Sequence, residues 1–279
     1  MASEGGFDRA SGVSRLASGV VLIVVGALWL APYLWMTLTS FRTLDEIVRA
    51  PAWPIPSGID LGAYREVFRS IPVGRYLFNT VLMAGLIATL QVGLALPAGY
   101  ALAKLRFRGR AIAFGLVLAC LLVPPQVTFV PTFLLLGKVG LVNTLAGLVV
   151  PFAVSAFGTF LVRQAMMQIP DAVIEAARLD GAGELTIVYR VLAPMIRPTL
   201  VAMFLFSFVY HYSDYFWPLV MTTDDQVRTL PLAVALLREQ GTGVRWHVVM
   251  AGNVVLSAPV LAVFALAQRH IVRAVAGRV

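Results

Sequence analysis

Long apolar runs, parted by short charged segments, constrain this chain more than any local motif does. Six such runs each extend over 23 residues or more, and about 20 predominantly apolar residues suffice for a helix to cross a hydrocarbon core of about 30 Å. Only 13% of the residues are charged and the mean hydropathy is +0.84, whereas a soluble domain carries roughly a quarter charged residues. The expected fold is an all-α polytopic membrane protein with six transmembrane helices. The spans are placed at Leu16–Thr39, Tyr76–Ala103, Ala111–Leu136, Val139–Val162, Thr199–Thr222 and Trp246–Gln268. Residues 1–15 form a short N-terminal segment, and residues 16–279 are read as a single transmembrane domain. The first run is too long for the apolar core of a secretory signal, and no small-residue cleavage site follows it, so it is read as an uncleaved span.

Lys and Arg placement sets the orientation. With the N-terminus inside, the inner segments 1–15, 104–110, 163–198 and 269–279 hold 13 basic residues, and the outer segments 40–75, 137–138 and 223–245 hold nine. The compact loop LRFRGR (Leu105–Arg110) dominates this bias, and short loops are where the positive-inside rule acts. Both termini are therefore expected in the cytoplasm. Orientation also accounts for the net charge of +8. A nucleic-acid footprint needs a continuous basic face, and none is visible. Cys120 is the only cysteine and the three histidines are scattered at 211, 247 and 270, so neither an internal disulfide nor a metal cluster is expected.

Between the first two spans, Pro51, Pro54 and Pro56 favour an extended chain. From Asp60, an N-cap type, Leu61, Tyr64, Val67 and Phe68 recur at helical spacing and predict a short amphipathic helix. That helix reads either as a ledge for an external partner or as packing against the span ends. Pro97 in the second span, and Pro124, Pro125 and Pro131 in the third, predict kinked or broken helices. At membrane depth such backbone is tolerated only against protein or a water-filled cavity. The fifth span reads FSFVYHYSDYFWPLV over Phe206–Val220. Asp214 is its one carboxylate, and intramembrane charges face a cavity or a partner. Tyr210, His211, Asp214 and Tyr215, with Asn253 of the sixth span, are candidates for a solute path. The competing readings are an interfacial Trp/Tyr belt, favoured for Trp217, and helix–helix hydrogen bonding for Asn253.

Catalytic signatures are missing from the sequence. No GxxxxGK[ST] nucleotide loop, HExxH, paired Cys motif or GxSxG occurs. His211, Ser213 and Asp214 crowd one helical turn and cannot line up as nucleophile, base and orienter. An enzyme using His211 and Asp214 is thus disfavoured, as is an ion-coupled carrier, which would place several ionisable groups inside its spans.

The segment EAARLDGAGELTIVYRVLAPMIRPTL (Glu175–Leu200) interrupts this apolar chain. Pro170 and Asp171 suit a helix start. AVIEAARL continues with good helix formers, and Gly181 fits the position just past a C-terminus. ELTIVYR forms a second helix, which Pro194 and Pro198 are expected to stop. Ala176 and Ala177 give the first helix a low profile for close approach by another protein. Four acids balance four bases from Arg163 to Pro198, unlike the Lys/Arg-rich face of a membrane-surface helix.

These residues resemble the EAA loop of ABC-importer permeases, at Glu175, Ala176, Ala177, Gly181, Val191 and Pro194. Upstream, FGTFLVRQ resembles the carbohydrate-uptake branch of maltose-type systems, as do WPIPSGIDLGAYREVF, RTLPLAV and the closing AQRHIVRAVAGRV. The resemblance runs from about residue 30 to the C-terminus. It implies a second-permease subunit of a binding-protein-dependent importer of a sugar, polyol or glycerophosphodiester in the inner membrane. It further implies a homologous permease partner, an ATPase dimer holding ATP and Mg²⁺, an extracytoplasmic solute-binding protein, and no cofactor or catalytic group on this chain. The loop 163–198 would couple to the ATPase through Glu175, Ala176, Ala177, Leu179, Asp180, Gly181 and Pro194. Motion would then pass along the fourth and fifth spans. Two departures stand out: Tyr212-Ser213-Asp214-Tyr215 replaces the W-N-D/E-x pattern, and the Gly-rich ending is shortened to AVAGRV.

Overall fold

In the computed structural model, residues 7–238 and 245–276 are described, and every regular element among them is helical. The first six residues, residues 239–244 and the last three residues of the AVAGRV tail lie outside the described residues. Two compact units are present, Met1–Ile71 with Leu237–Val255, and Pro72–Leu236 with Leu256–Val279.

The first unit begins with α1 (Phe7–Thr39), whose apolar stretch Ser18–Thr39 has the length and hydropathy of a span. An unanticipated helix, α2 (Leu44–Arg49), follows. It starts with a capping box, in which the Glu46 N–H donates to Thr43 Oγ1 at 3.4 Å and the Thr43 N–H to Glu46 Oε2 at 3.2 Å, so two otherwise orphaned donors are satisfied. The amphipathic helix is α3 (Gly62–Ser70), with Ala63 and Val67 buried and Phe68 exposed. Asp60 does not occupy its N-cap position; Leu61 does, while Asp60 Oδ1 accepts from the Gly62 N–H at 2.8 Å. Arg245 pairs with Glu66 on this helix.

The second unit is organised around α4 (Val73–Lys104), a helix of 32 residues that Pro97 does not break. The expected third span is instead two helices, α5 (Arg110–Leu121) and α6 (Pro125–Lys138), meeting at 97°. Pro124 is extended and Pro125 opens the second helix, since the residue before a proline is driven out of the helical region and Pro suits a first turn. The fourth span is likewise divided. It starts at α7 (Leu145–Val149), passes through a 3₁₀ turn at Val150–Phe152, and resumes at 46° as α8 (Ala156–Met167). Among the described residues, two unbroken helices are by length and composition apolar enough to span, or up to five if each bent pair counts as one.

After α8 come α9 (Asp171–Leu179), α10 (Glu184–Thr186), a π-helical stretch Ile187–Leu192 and α11 (Ala193–Met195). The chain turns through 87° into α12 (Arg197–Tyr212), which is followed by α13 (Phe216–Met221), α14 (Leu230–Leu236) and finally α15 (Trp246–Ala276). Pro194 does not stop the second bracket helix. Its ring would strike the Arg190 carbonyl in a regular α-helix, and the wider π stretch containing Arg190 removes that conflict. Pro198 sits in the first turn of α12.

The far end of this unit is pinned by Asn143, at φ 59°. Its Nδ2 donates to Asp224 Oδ2 at 2.7 Å and its Oδ1 accepts from the Thr223 N–H at 3.0 Å. Asn79 Nδ2 holds the same loop through the Gln226 and Arg228 carbonyls, at 2.9 and 3.0 Å.

Candidate functional site

The bracket between α8 and α12 is shaped by a Schellman motif. Gly181, at φ +81°, donates its N–H to the Arg178 carbonyl, and Ala182 donates to the Ala177 carbonyl, both at 3.0 Å. Glycine adopts this left-handed conformation without the Cβ penalty, and the paired bonds close the end of α9. A Cβ on Gly181 would meet nothing within 4 Å, so backbone conformation and not space selects the glycine. The inner face is apolar: Ile174, Ile187, Val188 and Leu192 are buried against Leu96, Val162, Met166 and Met203. The outer face is bare. Glu175, Ala176 and Asp180 are exposed, with Leu179 88% and Leu185 69% exposed.

Polar anchors join the bracket to α4. Tyr100 Oη donates to Glu184 Oε2 at 2.5 Å, while Arg178 Nε donates to Glu184 Oε1 at 2.9 Å and Arg178 Nη2 to Tyr100 Oη at 3.1 Å. Lys104 Nζ donates to the Ile169 carbonyl at 2.5 Å and to Asp171 Oδ1 at 2.6 Å. The Lys104 hydrogen bond, and then its charge, hold the Asp171 carboxyl below the usual carboxylate range. Tyr189 Oη donates to the Gly93 carbonyl at 2.8 Å.

At the other candidate locus, Asp214 Oδ1 accepts from the Phe216 and Trp217 N–H groups at 2.9 and 3.4 Å. The carboxylate thus caps the start of α13, where the first backbone donors lack helical partners. His211 is buried, with Nε2 3.4 Å from Gln91 Nε2, and Gln91 donates to the Phe152 carbonyl at 2.8 Å. Trp217 is also buried, donating Nε1 to the Gly147 carbonyl at 3.2 Å. Tyr210 and Tyr215 are exposed. Asn253 Nδ2 donates to the Val249 carbonyl at 2.8 Å. Among the described residues, no three His, Cys, Asp or Glu side chains gather closely enough to hold a metal ion.

Residues 95–277 match the family model of the binding-protein-dependent transport system inner membrane component. The chain belongs to this family. Two curated relatives are sn-glycerol-3-phosphate transport system permease proteins UgpE. The one from Yersinia enterocolitica is 33% identical over 205 residues, covering 73% of either chain. The one from Pectobacterium atrosepticum is 30% identical over 262 residues, covering 91% of this chain and 93% of its own. Among solved structures, a bacterial ABC transporter involved in the import of the acidic polysaccharide alginate shares the fold, with a TM-score of 0.80 at 23% identity, covering 96% of this chain and 99% of that one. This protein is therefore a multi-pass inner-membrane permease subunit of a binding-protein-dependent ABC importer.

In this permease the structure gathers Glu175, Ala176, Leu179, Asp180 and Gly181 at one exposed edge, while Ala177 is half-buried and packs against the apolar cluster beneath. Pro194 lies beyond the π stretch, in α11. His211 and Asp214 are within one segment but have separate partners. Sequence reasoning missed Tyr100, Lys104, Arg178, Glu184 and Tyr189. Arg178 and Glu184 flank the glycine turn and could have been paired from their spacing. Tyr100 and Lys104 could not, because they reach the bracket from 65 to 84 positions away.

Proposed function

We propose that this permease imports a sugar, polyol or glycerophosphodiester, and that the exposed bracket edge is the seat of a partner ATPase. The bracket carries this reading: its inner face is held by an apolar cluster and by charged anchors, while its outer face leaves Leu179 and Leu185 in solvent. Large apolar side chains beside Glu175 and Asp180 on an otherwise anchored element suit a protein cleft better than water. The relatives' glycerol-3-phosphate transport and the alginate transporter's fold support a polar, carbohydrate-like cargo. ATP and Mg²⁺ would be handled by the ATPase dimer, with no cofactor or catalytic group on this chain. A second permease completes the pathway, and an extracytoplasmic binding protein delivers the cargo. Both termini face the cytoplasm, which puts the bracket on the ATPase side.

The test is copurification of the tagged chain from its native membrane, followed by ATP hydrolysis with Gly181→Leu. An ATPase should copurify with both forms, and binding-protein-stimulated hydrolysis should be lost in the variant. Uptake driven by an ion gradient without any ATPase would overturn the reading, as would full stimulated hydrolysis with Gly181→Leu.

A further inference from the structure

Pro97 leaves a gap in α4 that the bracket fills. Proline has no N–H, so the Gly93 carbonyl four residues earlier has no helical donor. Tyr189 supplies one, donating its hydroxyl to the Gly93 carbonyl at 2.8 Å. On the other side of the proline, Tyr100 bonds Glu184 and Arg178, and Lys104 bonds Asp171 and the Ile169 carbonyl. Positions 93, 100 and 104 fall within about 40° of one another around α4 at 100° per residue. One face of the helix is therefore tied to the bracket both before and after its only proline.

We infer that the bracket is a splint across Pro97, so that displacing the bracket bends α4 at Gly93–Pro97. Prolines are the usual points at which helices bend, and a splint held on both sides converts a shift of the bracket into a change of that bend. Tyr189 and Tyr100 are positioning residues in this arrangement, each acting through the groups of this chain that it bonds. The inference rests on the bracket being the ATPase seat, and it adds α4 as an output element, separate from the spans that flank the bracket in sequence. Tyr189 has a specific reason to be there: it satisfies a carbonyl that any residue other than proline at 97 would leave bonded within the helix.

The experiment uses the assembled importer with Cys120→Ser, Phe78→Cys and Arg106→Cys, spin-labelled at the two new cysteines on either side of Pro97. Their separation is measured by double electron–electron resonance, nucleotide-free and trapped with ATP and vanadate. The mean distance should differ between the two states. That difference should be lost in Tyr189→Phe, which removes the tie before the proline, and reduced in Tyr100→Phe, which leaves the Lys104 tie beyond it, with the ATPase still bound. In a Pro97→Ala background the Gly93 carbonyl regains an N–H partner, so Tyr189→Phe should change nothing further. An unchanged distance in the otherwise native protein, with the ATPase bound and closing, overturns the splint. So does an equal effect of Tyr189→Phe with and without Pro97, and so does loss of assembly in Tyr189→Phe or Tyr100→Phe. Failure of any ATPase to copurify with the unsubstituted chain is the separate result that defeats the functional reading.

Discussion

Gly99 offers a measurable test of how closely α4 and α8 pack. A Cβ at Gly99 would sit 2.6 Å from Val162 Cγ1 and 2.9 Å from the Arg163 backbone nitrogen. Ordinary contact begins near 3.4 Å, and a backbone atom cannot rotate away, so Gly99→Ala must push the two helices apart. Overpacking of this kind costs about 1–3 kcal/mol, while replacing glycine by alanine within a helix returns about 1 kcal/mol of propensity. Gly85 lies on the same helix, and a Cβ there meets nothing within 4 Å. Gly85→Ala therefore shares the propensity gain without the clash, and subtracting the two isolates the steric cost. The assay is denaturation of the detergent-purified protein, titrated with sodium dodecyl sulfate and followed by helicity. Gly85→Ala should be stabilising by up to about 1 kcal/mol, and Gly99→Ala should be less stable than Gly85→Ala by about 1–3 kcal/mol. Equal stability of the two variants would refute the close approach on which the apolar cluster beneath the bracket depends.

Two further perturbations address other sites. Asp214→Ala should cost about 1 kcal/mol through the lost cap of α13, whereas Asp214→Asn keeps an acceptor and should melt near the native protein; transport lost in a fully stable Asp214→Asn would show that the charge serves the cargo as well. Because Lys104 lowers the pKa of Asp171, the stability gained from that pairing should be complete above the unfolded aspartate value of about 4 and vanish as pH falls through the lower folded value. Lys104→Met removes this contribution, so its melting temperature should lie below the native one from pH 5 to 8, with a smaller gap near pH 3; a gap independent of pH would refute the pairing.

The bracket was legible because its signals are local. Pro170, Asp171 and Gly181 each act within a turn of where they stand, and the structure places α9 and its glycine cap accordingly. The divided spans were harder to read, because proline marks where a helix can break and tertiary packing decides whether it does. Pro97 shows this, since α4 continues through it with help from Tyr189, while Pro124–Pro125 gives a 97° turn. Asp214 was legible as an unusual intramembrane acid but not as a cap. Hydropathy joined α12 and α13 into one apolar run, and the Ser213-Asp214 pair before Phe216 was the signal of a fresh helix start. The anchors on Tyr100 and Lys104 had no signal in the sequence, since nothing local pairs residues so far apart.

The exposed apolar window of α1 bears on how the chain enters the bilayer. Within its own unit, none of the side chains in the most apolar window of Ser18–Thr39 is buried, so there this helix depends on its own length and greasiness, enough for it to partition into lipid. The halves of the divided third span cannot do so. At 1.5 Å per residue α5 is about 18 Å long and α6 about 21 Å, each short of a core of about 30 Å. Biogenesis of this permease thus has an inherent order, in which whole helices insert autonomously and the half-helices settle only once their walls exist, α8 and α4 for α5 and the cluster of α4, α7 and α13 for α6.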